Sequence, residues 1–364
     1  MRQNEDLNGY WVITEPRGAA QGQWAIAEKD GKRFFIKMFL SPKYPRPGSP
    51  GSEEIKERKR TACNAFEERH QTIRRAIPSD AEGGGNLVVT VDFFRVDSTY
   101  YKVTELVQSI DLPPLFELEP RQALTILRTL LFSIRLLHDA HIVHSDLKPE
   151  NVMYQETTPG VFVAKVIDFD EAYVSGAPPE RAEVVGDQRF YSPELLRYIT
   201  GDESVGSRDL TTASDIFSLG LLLHLAVTGE MPRFNRELHQ FACESVAGGS
   251  PLELAGVTGK LETLVERMLD GDFRKRPDIH QVIGVFSGLT AESLRELAHG
   301  ELVMASTAPR GRVEGDVRSA SPGLKGTLGR SASVAGARAE SDKHEASSGG
   351  TPAPSRLKGT MKPK

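Results

Sequence analysis

The chain has 364 residues, of which 39% are hydrophobic and 26% charged, and its formal net charge is −5. This length excludes a small disulfide-stapled scaffold, and the apolar fraction is sufficient for a large core in one two-lobed domain or two ordinary domains. The mild acidity argues against bulk nucleic-acid binding, which would require a strongly basic surface.

The first hundred residues predict mainly strands. Apolar and β-branched residues place strands at 10–13, 24–27, 34–37, 87–91 and 101–105. The loop between the first two strands contains Gly18 and Gly22. Asp30 and Gly31 suit a two-residue hairpin turn. The highly charged stretch 53–77 predicts a helix.

The following two hundred residues predict mainly helices. One buried helix face is indicated by apolar residues at three- and four-residue steps, namely Leu124, Leu127, Leu131, Ile134 and Leu137. Stretch 216–227 is apolar on nearly every side and predicts a central buried helix, and 261–269 and 278–286 predict amphipathic helices. A strand-rich part followed by a helical part predicts an α+β fold with a cleft between two lobes.

Composition changes at about residue 300. The segment 300–364 is rich in Ser, Ala, Gly and Pro, and no aromatic residue follows Phe286. From residue 301 it holds 11 basic and 6 acidic residues, so the tail is basic while the rest of the chain is acidic. Such a segment buries too little apolar surface to offset the entropy of ordering, which predicts a disordered tail.

The cysteines and the longest apolar stretch restrict the compartment. Cys63 and Cys243 stand far apart, which excludes a disulfide framework and fits a reducing environment. The polar N-terminus has no apolar signal core, and stretch 219–227 is too short for a bilayer. We therefore expect a cytoplasmic protein with no membrane span and no nucleic-acid partner.

The strongest chemical signal is the run His-Ser-Asp-Leu-Lys-Pro-Glu-Asn at 144–151, which follows a long amphipathic helix. Asp-Phe-Asp follows at 168–170, Ser-Pro-Glu at 192–194 and Ser-Asp-Ile-Phe-Ser-Leu-Gly at 214–220. This ordered set resembles the eukaryotic-type (Hanks-type) Ser/Thr protein kinase family over about residues 10 to 298. The resemblance implies a bilobal kinase-like fold with a strand-rich N-lobe, a helical C-lobe and the tail.

The domain boundaries and the catalytic residues follow from the same resemblance. It implies an N-lobe over 1–106, a C-lobe over 107–299 and the tail over 300–364. Asp146 matches the catalytic aspartate and Lys148 the lysine that contacts the transferred phosphate in Ser/Thr-directed members. Asn151 and Asp168 match the Mg²⁺ ligands, whose amide and carboxylate oxygens suit this hard ion. ATP and Mg²⁺ are the implied cofactors.

The resemblance also implies a nucleotide site. Lys37 matches the lysine that contacts the α- and β-phosphates and pairs with a helix glutamate, for which Glu67 is preferred over Glu68 because Cys63, Glu67, His70 and Arg74 share a helix face. The other expected ATP-binding residues are Gly18 and Gly22 in the glycine-rich loop, Thr104 as gatekeeper, Glu105 and Val107 in the hinge, and Met153 on the pocket floor.

Several positions depart from the family pattern. The glycine-rich loop is degenerate, and Trp24 and Phe35 stand where smaller residues usually line the adenine. Ser145 replaces the arginine that receives an activation-segment phosphate, and Asp187 stands where a phosphorylatable threonine is frequent. The kinase is therefore expected to be of the non-RD type and active without that phosphate. Asp170 replaces a glycine, which is interpreted as restricting this segment rather than as adding a metal ligand.

Three functions remain open at this stage. The first is a Mg-ATP-dependent kinase that phosphorylates Ser and Thr hydroxyls of protein substrates and its own tail, creating a site for a phospho-binding partner. The second is a pseudokinase scaffold without turnover, favoured by the glycine loop, Phe35 and Asp170. The third is a small-molecule kinase. Outside the reaction, Arg276 is expected to pair with Glu194, and Asp215 to hold the catalytic loop.

Overall fold

A computed structural model describes residues 1–19, 22–48, 50–77 and 86–299. The predicted tail, 300–364, lies outside the described residues. The N-terminal part is an antiparallel seven-stranded sheet with strand order β1-β2-β4-β5-β7-β6, in which β3 pairs with β4. The strands are β1 (Asp6–Leu7), β2 (Tyr10–Val12), β3 (Arg17–Ala19), β4 (Gly22–Lys29), β5 (Lys32–Phe39), β6 (Thr90–Val96) and β7 (Thr99–Glu105).

The turn between β4 and β5 is the predicted two-residue hairpin. Lys29 pairs with Lys32, and the two residues between them have positive φ angles, 51° at Asp30 and 71° at Gly31. This conformation suits Asp-Gly and matches the right-handed twist of the flanking strands. The turn sets the register of the central hairpin and therefore places Lys37 opposite Trp24.

The strand predicted at 87–91 is wrong in its position. Leu87 forms an isolated parallel bridge with Val166, and the Val88 N–H donates to the Val166 carbonyl at 2.9 Å. The sheet strand β6 begins only at Thr90 and continues to Val96. The apolar run was therefore divided between two partners, one of which is distant in the sequence.

The charged stretch forms α1 (Glu53–Ala76), as predicted. The helix begins at Ser52, whose hydroxyl accepts from the Ile55 N–H, and its first turn carries Glu53 and Glu54. Acidic residues at this end and arginines in the last turn both interact favourably with the helix dipole. Few α1 side chains are buried, so the helix packs on the sheet through a narrow face.

The C-terminal part contains α2 (Pro120–Asp139), α3 (Pro193–Thr200), α4 (Thr212–Thr228), α5 (Ala242–Ala247), α6 (Gly259–Met268), α7 (Ile279–Ser287) and α8 (Ala291–His299). The predicted central helix is α4, on which twelve residues are buried. It packs with α2 and α6 in one large hydrophobic core. The predicted α+β arrangement of a strand-rich part and a helical part is confirmed.

Two short antiparallel pairs carry the loops of the cleft. β8 (Ile142–Val143) pairs with β11 (Tyr173–Val174), and β9 (Val152–Thr158) pairs with β10 (Val161–Val166). The loop 144–151 thus runs between two strands, and the 168–170 segment follows β10. Within the described ranges, no helix is long and apolar enough to span a membrane.

Candidate active site

A carboxylate at the start of α4 holds the loop that follows β8. Asp215 is buried, and its Oδ2 accepts from the His144 N–H at 2.8 Å and contacts His138 Nε2 at 3.1 Å. Its Oδ1 accepts from the Ser145 N–H at 3.0 Å. Ser145 has a φ of 70°, a conformation that residues other than glycine seldom adopt. These bonds to Asp215 stabilise the unusual backbone and fix the direction in which the next residue, Asp146, points.

Three predicted site residues meet at the Asp146 carboxylate. Lys148 Nζ lies 2.6 Å from Oδ2, and Asn151 Nδ2 donates to Oδ2 at 2.9 Å and to the Asp146 carbonyl at 2.8 Å. The other oxygen, Oδ1, accepts from the Asp187 N–H at 3.2 Å. The carboxylate is therefore held at both ends, with one oxygen bound by two donors and the other by one.

Asn151 and Asp168, the expected metal ligands, come from adjacent backbones. The Ile167 N–H donates to the Asn151 carbonyl at 3.0 Å, and Asp168 follows with a φ of 62°. Because the Asn151 amide nitrogen is bound to Asp146, the side-chain oxygen of Asn151 is left as an available donor atom for a cation. One amide oxygen and a half-buried carboxylate fit Mg²⁺, which takes oxygen ligands and keeps several waters.

A cluster of four charged side chains lies beside this site. We call it the lysine–aspartate cluster: Lys37, Lys102, Asp168 and Asp170. Lys37 Nζ lies 3.3 Å from Asp168 Oδ2, and Lys102 Nζ lies 3.4 Å from Asp168 Oδ1. Both lysines also form ion pairs with Asp170, through different carboxylate oxygens.

Mutual pairing keeps the buried members of the cluster charged. Burial alone disfavours the charged form of Lys37, but Asp170 and Asp168 outweigh it and raise the Lys37 pKa. Burial likewise favours protonated Asp170, and Lys102 and Lys37 outweigh it and lower the Asp170 pKa. Two lysines and two carboxylates therefore form a site with no net charge.

The expected ion pair between Lys37 and a glutamate of α1 is not formed. Glu67 Oε2 accepts from the Tyr100 hydroxyl at 3.5 Å, and Glu68 lies on the surface, 3.2 Å from Arg75. Among the described residues, the carboxylates that contact Lys37 Nζ are those of Asp168 and Asp170. The partner of Lys37 therefore lies after β10, where the sequence analysis had interpreted Asp170 as a restriction of the backbone.

The expected adenine pocket has aromatic walls. Trp24 and Phe35 stack with ring centroids 5.4 Å apart, and Arg17 lies over the indole at 5.7 Å. Strand register puts Trp24 opposite Lys37 and Phe35 opposite Thr104, so these side chains share the sheet face that carries Lys37. The two rings therefore lie on the sheet face at which the family resemblance places adenine.

The other expected nucleotide residues lie on the β3–β4 hairpin, at the end of β7, in the segment after β7 and on β9. Gly18 and Gly22 lie near the end of the β3–β4 hairpin, where Gly18 pairs with Gln23 and Gly22 with Ala19, and a side chain at Gly18 would clash with the Gly22 carbonyl. Thr104 is buried at the end of β7, and Glu105 Oε1 binds Lys165 Nζ at 2.9 Å. Val107 follows the strand, and Met153 lies on β9 opposite Lys165, both half-buried.

The segment before α3 is held against the 144–151 loop by side-chain contacts. Arg189 Nε lies 3.0 Å from Asp187 Oδ1, and Arg189 NH2 lies 3.1 Å from Glu150 Oε1. Since the Asp187 backbone also binds Asp146, this arginine joins the segment to the loop.

A buried ion pair joins the start of α3 to the residues before α7. Arg276 binds Glu194 through two nitrogens at 2.7 and 2.8 Å, and Ser214 donates to the same carboxylate at 2.8 Å. Both charged side chains are almost fully buried. The expected ion pair of Arg276 with Glu194 is therefore formed. Asp215 also holds the 144–151 loop, as expected.

A family model described as the protein kinase domain matches residues 58–285, well over half of the chain. The chain belongs to this family. The matched range begins within α1, so it does not include the glycine loop or Lys37. For that part of this kinase domain, the assignment of individual residues depends on the geometry given above.

The chain is also similar to curated proteins from several organisms that are named as protein kinases. The chain is 26% identical over 285 residues to Serine/threonine-protein kinase pkn2 of Myxococcus xanthus, covering 74% of this chain and 31% of that protein. It is 30% identical over 206 residues to Serine/threonine-protein kinase PSK2 of Saccharomyces cerevisiae, covering 54% and 17%. It is 32% identical over 168 residues to Calcium-dependent protein kinase 9 of Oryza sativa, covering 45% and 27%. The chain thus matches less than a third of each relative's length.

One charged residue of this kinase site was missed by the sequence analysis. Lys102 lies on β7 between buried neighbours and is itself buried. A lysine inside the strand predicted at 101–105 was an available signal, because a buried ammonium requires a carboxylate partner. Its partners, Asp168 and Asp170, are more than sixty residues away and form no local pattern.

Proposed function

We propose that this chain is a Ser/Thr protein kinase that transfers the γ-phosphoryl group of Mg-ATP to hydroxyls of protein substrates. The observation that carries the proposal is the Asp146 carboxylate, held by Lys148 and Asn151 and oriented by Asp187. Phosphoryl transfer requires positioning and neutralisation of charge more than covalent help. The Ser/Thr kinase relatives support this specificity.

In the proposed reaction, the acceptor oxygen forms a bond to the γ-phosphorus while the bond from that phosphorus to the bridging oxygen of ADP breaks. The acceptor proton passes to Asp146. Oδ1 is the better acceptor, because Oδ2 already receives two hydrogen bonds and Oδ1 only one. Lys148 contributes positive charge at the transferred phosphate. Magnesium bound to Asn151 and Asp168 would neutralise phosphate oxygens.

The proposed kinase works without phosphate on its activation segment. Ser145 stands in place of the family arginine, which makes this a non-RD catalytic loop. The contacts of Arg189 with Asp187 and Glu150 supply an alternative link between segment and loop. A preparation that stays inert until an upstream kinase phosphorylates this segment would contradict this part of the proposal.

The tail is proposed as the kinase's own substrate. Ser319 and Ser331 each follow an arginine, Ser333 lies three residues after Arg330, and the repeat Leu-Lys-Gly-Thr ends at Thr327 and Thr360. A basic tail is attracted to an acidic catalytic domain at short range. Its phosphorylation would create a docking site for a phospho-binding protein.

The buried free cysteines, Cys63 and Cys243, support a reducing, cytoplasmic setting.

A pseudokinase scaffold is the second candidate. The observation that favours it is the Trp24–Phe35 stack, which narrows the space for adenine. The two functions differ in turnover: a scaffold binds partners, and nucleotide if the pocket admits it, but transfers no phosphate. A small-molecule kinase would transfer phosphate to a metabolite and to no peptide.

The deciding experiment incubates the purified chain and Asp146→Asn with Mg-ATP and follows both by intact-mass and peptide mass spectrometry. Phosphates on Ser or Thr of the wild type and none on the variant are expected. The scaffold function replaces the kinase function under one set of results. Neither protein gains phosphate, generic peptide substrates stay unmodified, and the wild type nevertheless binds nucleotide. An intact mass without tail phosphate would end the autophosphorylation proposal alone.

A further inference from the structure

The lysine–aspartate cluster joins two parts of the chain. Lys37 and Lys102 lie opposite each other on β5 and β7, and their side chains extend from the same sheet face. Asp168 and Asp170 lie on the segment after β10. Asp170 and Lys102 are the most buried members, with side chains 11% and 5% exposed, against 35% for Asp168. The centre of the cluster is therefore the Asp170–Lys102 pair.

We propose that Asp170 is the positioning residue for Lys37, in the role expected of an α1 glutamate, and that Lys102 is the counter-charge that holds Asp170 in place. The inference rests on the proposed function, because the position of Lys37 matters for catalysis only when phosphates are bound. Asp170 itself does not touch the reacting atoms in this proposal.

The division of the Asp170 carboxylate supports this role. Its Oδ1 pairs with Lys102 and its Oδ2 with Lys37. Lys102 therefore holds the carboxylate through one oxygen, and the carboxylate holds the Lys37 ammonium through the other. Asp168 contacts the same two lysines at the longer distances of 3.3 and 3.4 Å and remains more exposed. Asp168 thus keeps oxygen surface for a metal, while Asp170 fixes the ammonium of Lys37.

Burial makes Lys102 and Asp170 depend on each other. An unpaired buried charge is far more costly than a paired one, so either residue alone would destabilise the fold. One is a lysine within a buried strand, and the other stands where the family has glycine. The buried lysine and the aspartate in place of glycine therefore belong to one ion pair. They are not separate signs that an active site has decayed.

The face that α1 turns to the site carries no carboxylate for Lys37. Glu67 accepts a hydrogen bond from the Tyr100 hydroxyl. The buried polar side chain of α1 is His70. Burial lowers the pKa of His70 well below its usual value, and the positive charges of Lys102 and Lys37 lower it further. The buried face of α1 thus carries an imidazole in place of a carboxylate, so in this inference the anchor of Lys37 does not depend on α1.

The first test measures protection of Lys37 directly. Wild type, Asp170→Asn and the control Asp92→Asn are treated with an amine-acetylating reagent, and the modification rate of each lysine is followed by mass spectrometry. Asp92 contacts Arg74 at 3.6 Å, away from the cluster. In Asp170→Asn we expect Lys37 to react about tenfold faster, because a charge-assisted bond is lost. Equal rates in wild type and Asp170→Asn would overturn the inference.

The second test measures the affinity for Mg-ATP by calorimetry, with KM and kcat where turnover exists. Asp170→Asn is expected to weaken binding about tenfold and raise KM more than it lowers kcat, because Lys37 contacts the bound nucleotide. Glu67→Gln is expected to change affinity less. A loss in Glu67→Gln equal to or larger than that in Asp170→Asn would return the role to α1 and overturn the inference.

The double variant Lys102→Met/Asp170→Gly separates positioning from stability. Replacing a buried ion pair by apolar groups is often neutral for stability, so this protein is expected to fold even where a single variant does not. Recovery of thermal stability without recovery of Lys37 protection supports the inference, and recovery of both overturns it. Absence of nucleotide binding by the wild type would refute the proposed function, while the acetylation rates would still decide what positions Lys37.

Discussion

Trp24 and Phe35 place two large rings on the strands that surround the expected base site. Their stacking and the arginine over the indole hold them in one arrangement. Ring pairs of this kind contribute about 0.5–1.5 kcal/mol beyond their buried area. If adenine binds at this face, it has to fit beside the rings or displace them, so we expect these residues to affect nucleotide affinity without taking part in transfer.

Opening this site is expected to strengthen nucleotide binding. The double variant Trp24→Val/Phe35→Ala removes both rings and should bind Mg-ATP about tenfold more tightly, about 1.4 kcal/mol, by calorimetry. Trp11→Val is the control, because Trp11 is an exposed tryptophan on β2. Unchanged or weaker affinity in the double variant would show that the rings do not obstruct the base.

Glu171 is a half-buried carboxyl group beside the site. Burial raises its pKa to about 8; Arg69 opposes this shift, and the nearby carboxylates of Asp170, Asp168 and Asp146 increase it. In the folded protein the group therefore keeps its proton up to about pH 8, whereas in the unfolded chain it loses it near pH 4.5. Stability contributed by this proton is complete below pH 4.5 and is lost as pH rises through 8.

Glu171→Gln is expected to flatten that pH dependence. The wild type should lose stability between pH 5 and pH 8, whereas the variant should lose less and be more stable at pH 8 by about 1–2 kcal/mol. Melting temperatures at four pH values across this range measure the effect. Glu203→Gln, on the surface, serves as control. Parallel curves for wild type and Glu171→Gln would contradict the prediction.

At the scale of elements, α1 is unusual because its buried face carries a histidine, His70, together with Cys63 and Ile73. His70 stacks on Phe93 at 4.5 Å and meets Phe66 edge-on at 4.4 Å. Its Nε2 is buried and has no hydrogen-bond partner among the described residues. Because burial and Lys102 lower its pKa, the folded protein resists protonation that the unfolded chain accepts below about pH 6.5.

His70→Phe is therefore expected to remove a sensitivity to acid. The His70 contribution is present above the unfolded pKa and is lost as pH falls, so the wild type should lose stability from about pH 6.5 downwards. The variant should be more stable than the wild type by about 1 kcal/mol at pH 5, because it has no imidazole whose protonation favours the unfolded chain. Urea unfolding at pH 5 and 7 measures this. His280→Gln, at an exposed histidine, is the control, and an equal acid loss in both variants would refute the prediction.

Elements with local signals were predictable from the sequence. The Asp-Gly turn and the capped, charged helix α1 depend on residues within a few positions of each other. The strand at 87–91 was misplaced because Leu87 takes a partner on β10, which no local pattern indicates. The same reason explains the site: Asp146, Lys148 and Asn151 form one short motif, whereas the Lys102–Asp170 pair joins two distant segments.

At the scale of the whole molecule, the Arg276–Glu194 pair ties together three separate parts of the helical lobe. Both side chains are buried, and Arg276 also donates to the Ala213 carbonyl at 2.8 Å. The pair therefore links the start of α3, the start of α4 and the segment before α7. Its carboxylate and guanidinium groups satisfy each other where water does not reach.

Arg276→Ala is expected to destabilise the kinase by about 3–5 kcal/mol, because it leaves the Glu194 charge buried and unpaired. The matched control is Arg274→Ala, whose ion pairs are on the surface and whose loss should cost less than about 1 kcal/mol. Chemical denaturation of both variants measures the difference. Similar free energies of unfolding for the two variants would contradict the assigned weight of the buried pair.

The lysine–aspartate cluster has a consequence for motion. Its lysines belong to the sheet and its carboxylates to the segment after β10, so rotation of the sheet away from the helices must separate two buried ion pairs at once. Such a contact is either made or broken, which favours two discrete arrangements over gradual hinge bending. If the closed arrangement retains ADP, reopening is expected to be slower than phosphoryl transfer and to determine the turnover rate.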